Sequence, residues 1–193
     1  MAYVIIVVVL LIIIGPILAV LPSKRQKEQM LKRQTAMAAG LSVALTRIED
    51  PDPNPEDYLS NTGKPLERVK AVIAYRLPRQ RLGQWHQTAV DWALERKLSQ
   101  SPGPRDTGLP TGWHWSETQA GQLPARLRQY LQVAIADLPN DVVRVEERKN
   151  IISAYWNERG DTIELTKLID FLRDCAALPV APEDDDSAPN DDH

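Results

Sequence analysis

The sequence predicts an all-α protein: one N-terminal transmembrane helix, a juxtamembrane helix, a small cytoplasmic helical bundle and an acidic disordered tail. Three observations predict it. Residues Ala2 to Leu21 (AYVIIVVVLLIIIGPILAVL) carry no charge and are nearly all apolar. From Ser23 to about Ile48, apolar residues recur at helical spacing among strong helix formers. The C-terminal third shows the same spacing between proline and glycine stops.

At the α-helical rise, residues 2–21 reach roughly 30 Å, the thickness of a bilayer's hydrocarbon core. A soluble helix keeps a polar face, and this run has none. No side-chain base precedes it and no A-x-A-like site ends it, so it reads as an uncleaved anchor. Lys24, Arg25, Lys27, Lys32 and Arg33 follow, opposed by Glu28. By the positive-inside rule the N-terminus lies outside and the remaining chain in the cytoplasm, a single-pass topology whose expected location is a bacterial inner membrane. Those five cations are the candidate lipid contacts.

The juxtamembrane helix is expected over 22–48, with Leu31, Ala38, Leu41, Leu45 and Ile48 on its stripe and Gly40 weakening its middle. Pro22, Lys24, Arg25, Lys27 and Glu28, then Gly40 followed by Val43, Leu45 and Thr46, resemble the small YajC-type accessory subunit of the bacterial Sec preprotein translocase. That resemblance covers about the first 46 residues. It implies an anchored accessory protein whose partners are translocase subunits, and it implies nothing for the rest of the chain.

Residues 49–63 read as a linker. Glu49 to Asp57 (EDPDPNPED) alternates acids with prolines, which fix φ and remove backbone donors, so an extended spacer is expected. The cytoplasmic domain is expected over 64–178. In Lys64 to Leu77, Leu66, Val69, Val72, Ile73 and Leu77 keep helical spacing, while Val69, Ala71, Ile73, Tyr75 and Leu77 alternate as a strand would. The helix is preferred because its neighbours read as helices. Arg79 to Ser99 places Leu82, Trp85, Ala89, Trp92 and Ala93 on one helical face. A long Gly/Pro loop follows to Gly121; if extended there, Trp113-His114-Trp115 sets both indoles on one side, as a partner knob or a cap on the core.

Three helices close the domain. Pro124 opens the first, with Leu127, Leu131, Ile135 and Leu138 inside and Pro139 ending it. Asn140 or Asp141 caps the second, which carries Val142, Val145, Ile152, Tyr155 and Trp156 as far as Gly160. Asp161 with Glu164 starts the third, carrying Ile163, Leu168, Ile169, Leu172, Cys175 and Ala176. The tail, 179–193, is acidic and broken by Pro and Ser, hence disordered by composition.

Chemistry is sparse. His86, His114 and His193 are scattered, and HExxH, CxxC, GxGxxG and P-loop spacings are absent, so no metal, cofactor or catalytic residue is indicated. Cys175 stands alone, which excludes an intrachain disulfide, and its apolar neighbours make it a core residue. Glu146-Glu147 reads as solvated helix surface. The chain is expected not to be an enzyme, and no small-molecule substrate is evident. A basic cluster of Arg68, Lys70, Arg76, Arg79 and Arg81, with Trp113 and Trp115, is the candidate partner surface. The leading expectation is a non-catalytic accessory or scaffold subunit that binds protein. The alternative is a membrane-tethered binder of anionic lipid, less so of nucleic acid. The sequence leaves the oligomeric state open.

Overall fold

The structure, a computed structural model, describes Tyr3 and residues 23–79, 90–100, 103, 106, 108–116 and 123–178. Two units divide the chain at Thr35/Ala36. In the first, Ser23 opens helix α1 (Lys24–Ala38) with a reciprocal cap. Its backbone N–H donates to Gln26 Oε1 at 2.8 Å, and the Gln26 N–H donates to Ser23 Oγ at 3.3 Å.

The expected continuation of this helix to Ile48 does not occur. Gly40 takes φ +92°, and the Gly40 and Leu41 amides donate back to Met37 and Ala36 carbonyls at 3.0 and 3.1 Å. That is a Schellman ending, with buried Ala36 and Leu41 forming its apolar contact. The chain then enters strand β1 (Ser42–Glu49).

Five more strands follow: β2 (Val69–Pro78), β3 (Trp92–Arg96), β4 (Trp113–Trp115), β5 (Val142–Arg148) and β6 (Ile151–Trp156). They form one six-stranded antiparallel sheet in the order β1-β2-β6-β5-β3-β4. The all-α expectation is therefore corrected to a mixed α/β fold. In 69–77 the strand alternation prevails because β-branched Val and Ile suit a half-buried pleat. In 142–156 the apolar spacing belongs to two strands rather than one helix. Lys149 and Asn150, at φ 51° and 62°, make the type I′ turn that joins them. Trp92 and Ala93, expected on a helix, lie in β3.

Residues opposite one another in a ladder share a face. Val43, Tyr75, Ala154, Val145, Leu94 and Trp115 are matched in turn, one row across all six strands on the core side. Helices α2 (Ala125–Ala134) and α3 (Thr162–Ala177) cover that side. They contribute Leu127, Leu131, Leu165, Leu168, Phe171 and Leu172, all buried. Each such side chain stabilises the fold by about 1.5–3 kcal/mol. The helix expected after Pro124 is α2, followed by a 3₁₀ turn at Ile135–Asp137. Helix α3 starts at Asp161, whose carboxylate accepts the Glu164 N–H at 2.9 Å. Cys175 on α3 is buried, and burial pushes its thiol pKa up.

Among the described residues no helix is long and apolar enough to cross a membrane. On that finding the single-span reading is corrected. The membrane partner, the inner-membrane location, the translocase resemblance and the functions built on them are corrected with it. Val43, Leu45 and Thr46, which carried part of the resemblance, are residues of an edge strand in a mixed fold. The stretch 2–21 lies outside the described residues apart from Tyr3, and so does the tail from 179.

Candidate functional site: a charged cleft at one end of the sheet

Antiparallel order brings the C-terminal ends of β1, β6 and β3 and the starts of β2 and β5 to one edge of the sheet. A cleft of about 260 Å³ opens there, with Asp50, Asp52, Lys70, Arg96, Asp141 and Arg159 among its lining residues. The acidic proline segment builds one wall. Expected as a spacer, it is tied down instead. The Asp50 amide donates to the Arg68 carbonyl at 2.7 Å, and Tyr58 Oη donates to the Asp50 carboxylate at 2.7 Å. Asp52 reaches across to the end of β3, where it accepts from the Leu98 and Ser99 amides at 2.8 and 3.1 Å and from the Ser99 hydroxyl. Burial works to raise the Asp52 carboxyl. The bonds from Ser99 and Leu98, with Lys70 nearby, outweigh burial and hold it below the ordinary carboxylate value. Burial and the bond to Asp50 push the Tyr58 phenol up to about 12.

The opposite wall comes from β3, β5 and β6. Trp156 Nε1 donates to Asp141 Oδ1 at 2.6 Å, and the Arg159 amide donates to Asp141 Oδ2 at 2.7 Å. Between them Glu158 sits at φ +56°, a costly conformation for a residue with a side chain. Its buried carboxylate accepts from Tyr75 Oη at 2.7 Å, which fixes the turn and leaves the Arg159 side chain exposed. Arg96 stacks over Trp113, 4.8 Å from the ring centroid, and Nη1 donates to the Asn140 carbonyl at 2.8 Å. Burial lowers the Arg96 pKa, opposed by Asp141.

The cleft's polar groups are thus unequally engaged. Each carboxylate already accepts protein donors. Lys70 has only a 3.9 Å approach to Asp50, Arg96 Nε is buried without a hydrogen-bond partner, and Arg159 bonds Asp141 through its amide rather than its guanidinium.

The structure disperses the predicted basic cluster. Lys70 lines the cleft, while Arg68 is exposed in the preceding loop. Arg76 lies six residues further along β2, roughly 20 Å from Lys70. Arg79 is buried in an ion pair: Nε and Nη2 donate to Glu147 at 2.6 and 2.5 Å, Nη1 donates to the Leu178 carbonyl at 2.6 Å, and Trp92 Nε1 also reaches Glu147 at 2.9 Å. Glu147, expected as solvated surface, has no exposure at all. Arg81 lies outside the described residues. Trp113 and Trp115 share one side of β4, and that side is the core. On α1, Lys24, Arg25 and Lys27 are exposed, Arg33 is half-buried and Lys32 is buried.

Two other polar arrangements are closed to a ligand. His114 Nδ1 lies 2.9 Å from Asp106 Oδ2 and Nε2 lies 3.2 Å from the Lys97 carbonyl. Both nitrogens face acceptors, so both bonds form together only when both carry protons, and neither is left to serve a substrate. On the sheet face away from the helices, Arg144 pairs with Glu95 and Glu146 at 3.2 and 2.7 Å, and Tyr155 Oη donates to Glu146 at 2.6 Å. Among the described residues no cluster of His, Cys, Asp and Glu could hold a metal ion.

Sequence reasoning missed Arg96, Asn140, Asp141, Arg159 and the wall formed by Asp50 and Asp52. The available signal was strand alternation, which would have set these polar residues at strand ends. Comparison with known families, curated proteins and solved structures finds no match to this chain.

Proposed function

We propose that this chain is a non-catalytic ligand-binding domain whose cleft takes a small anionic group, a carboxylate or phosphate. The observation that carries the reading is the inequality of engagement in the cleft. Its carboxylates are each engaged by donors from Tyr58, Leu98, Ser99, Trp156 or Arg159, while Lys70 and the Arg159 guanidinium line it with donors to spare. Charge-assisted bonds from such donors to an anion are about twice as strong as neutral ones. The non-catalytic part rests on the carboxylates of the cleft, Asp50, Asp52 and Asp141, each of which already accepts hydrogen bonds from protein donors.

The test is calorimetric titration of the full chain with inorganic phosphate and with citrate, against chloride at matched ionic strength. Saturable binding of one of the two anions is expected, weakened about tenfold, ~1.4 kcal/mol, in Lys70→Gln/Arg159→Gln. Equal heats for all three salts, or unchanged affinity in the double variant, would overturn it.

A further inference from the structure

Strand β1 is the long edge of the sheet. Among the described residues it bonds only to β2, through eight consecutive matched pairs from Ser42↔Arg76 to Glu49↔Val69 with no register shift. It holds no proline, so its outward amides and carbonyls form an unbroken row ready to accept another strand. Its core-side neighbour across the ladder, Ile73, is 6% exposed, yet Leu45 opposite it is 76% exposed. The cover that buries Ile73 stops one strand short, and an apolar side chain stands on the sheet's rim.

We propose that β1 pairs antiparallel with β1 of a second copy of this chain about a twofold axis at Leu45, continuing the sheet across the pair. The choice of occupant comes from the strand's own pattern. A twofold axis perpendicular to the sheet matches residues of the same face, so it must pass through a residue rather than between two. Through Arg47 it would oppose two guanidinium groups, which is repulsive. Through Thr46 it would set Leu45 against Arg47 and Val43 against Glu49 and leave no apolar residue on an apolar one, and through Ala44 it would shorten the ladder to Ser42–Thr46. Through Leu45 it sets Leu45 on Leu45, Val43 on the Arg47 stem, and Ala44 on Thr46. No like charges then oppose, and the exposed leucine is covered by its own copy. An isologous contact of this kind closes at two copies and leaves no free β1 edge.

This proposal is independent of the cleft. Directly opposed residues in an antiparallel pair have Cβ atoms about 4.5–5.5 Å apart, close enough for a disulfide to report the register. Full-length Leu45→Cys, Thr46→Cys and Arg47→Cys are oxidised with diamide and resolved on non-reducing gels, with Cys175, buried in every variant, as internal control. A dimer band is expected for Leu45→Cys, at least tenfold stronger than for Arg47→Cys and lost on reduction. Light scattering is expected to show Leu45→Arg shifted to monomer, with the exposed-site control Val133→Arg unchanged. Crosslinking strongest at Thr46 would overturn the register. Absence of crosslinks at all three sites, or association unaltered in Leu45→Arg, would overturn the pairing, as would a bound extended peptide that occupies β1 in place of the second copy.

Discussion

Glu147 has three side-chain donors around it, Arg79 Nε, Arg79 Nη2 and Trp92 Nε1, and no contact with water. Removing one member of so deep a pair strands the other charge. Glu147→Gln or Arg79→Met is therefore expected to cost about 3–5 kcal/mol, read from urea unfolding, and Arg79→Met/Glu147→Leu much less than the sum. Asp106 gives the pH counterpart. Burial raises its carboxyl, but amide donors from Gly103 and Trp115 and the His114 ring outweigh that and lower it below its ordinary 3.8. The unfolded chain then binds the proton more readily than the folded one. The stability Asp106 contributes is full above pH 3.8 and drains away as pH falls through its lower folded value. Melting temperature should fall in that acid window, and Asp106→Asn should flatten the decline. Of these residues, sequence reasoning could place only the two tryptophans flanking His114, because an i, i+2 pair shares a side in any extended segment. Glu147 was opaque: its partner sits 68 positions away.

At the scale of elements, the cap of α3 was readable, whereas the cap expected at Asn140 or Asp141 precedes a strand and the alternation over 69–77 was seen but outweighed. Asp161 and Glu164 announced α3 because a cap is local chemistry within one turn. The ambiguity between helix and strand that was visible lay over Lys64 to Leu77; over Val142 to Trp156, read as one helix, apolar residues three apart also fit two strands joined by a tight turn. Gly40 stood in plain view as a weak point, yet only its left-handed φ turns it from a soft spot into a stop. Gly40→Ala meets nothing within 4 Å, so its cost is backbone strain alone. A loss of about 1–2 kcal/mol is expected in denaturant melts, without loss of the sheet's far-UV signature.

At the scale of the whole molecule, helices on one side and paired charges on the other make a two-layer domain whose polar chemistry gathers at strand ends. Alternation along the chain can set polar residues at strand ends, but not say which ends meet. Asp52 and Leu98 meet from 46 positions apart, and Tyr75 and Glu158 from 83. Composition and periodicity report local preference, whereas the cleft exists only after the sheet has ordered its strands out of sequence.

That ordering governs the molecule's birth. Strand β2 emerges from the ribosome with β1 on one flank, but its other neighbour, β6, is made only after the whole stretch from Arg79 to Asn150. In the interval the apolar run Ile73 to Tyr75 has only half its ladder. The β5–β6 hairpin, closed by its own two-residue turn, forms on the microsecond scale once translated. Its pairing with β2 supplies the ladder that strands made earlier in the chain leave open.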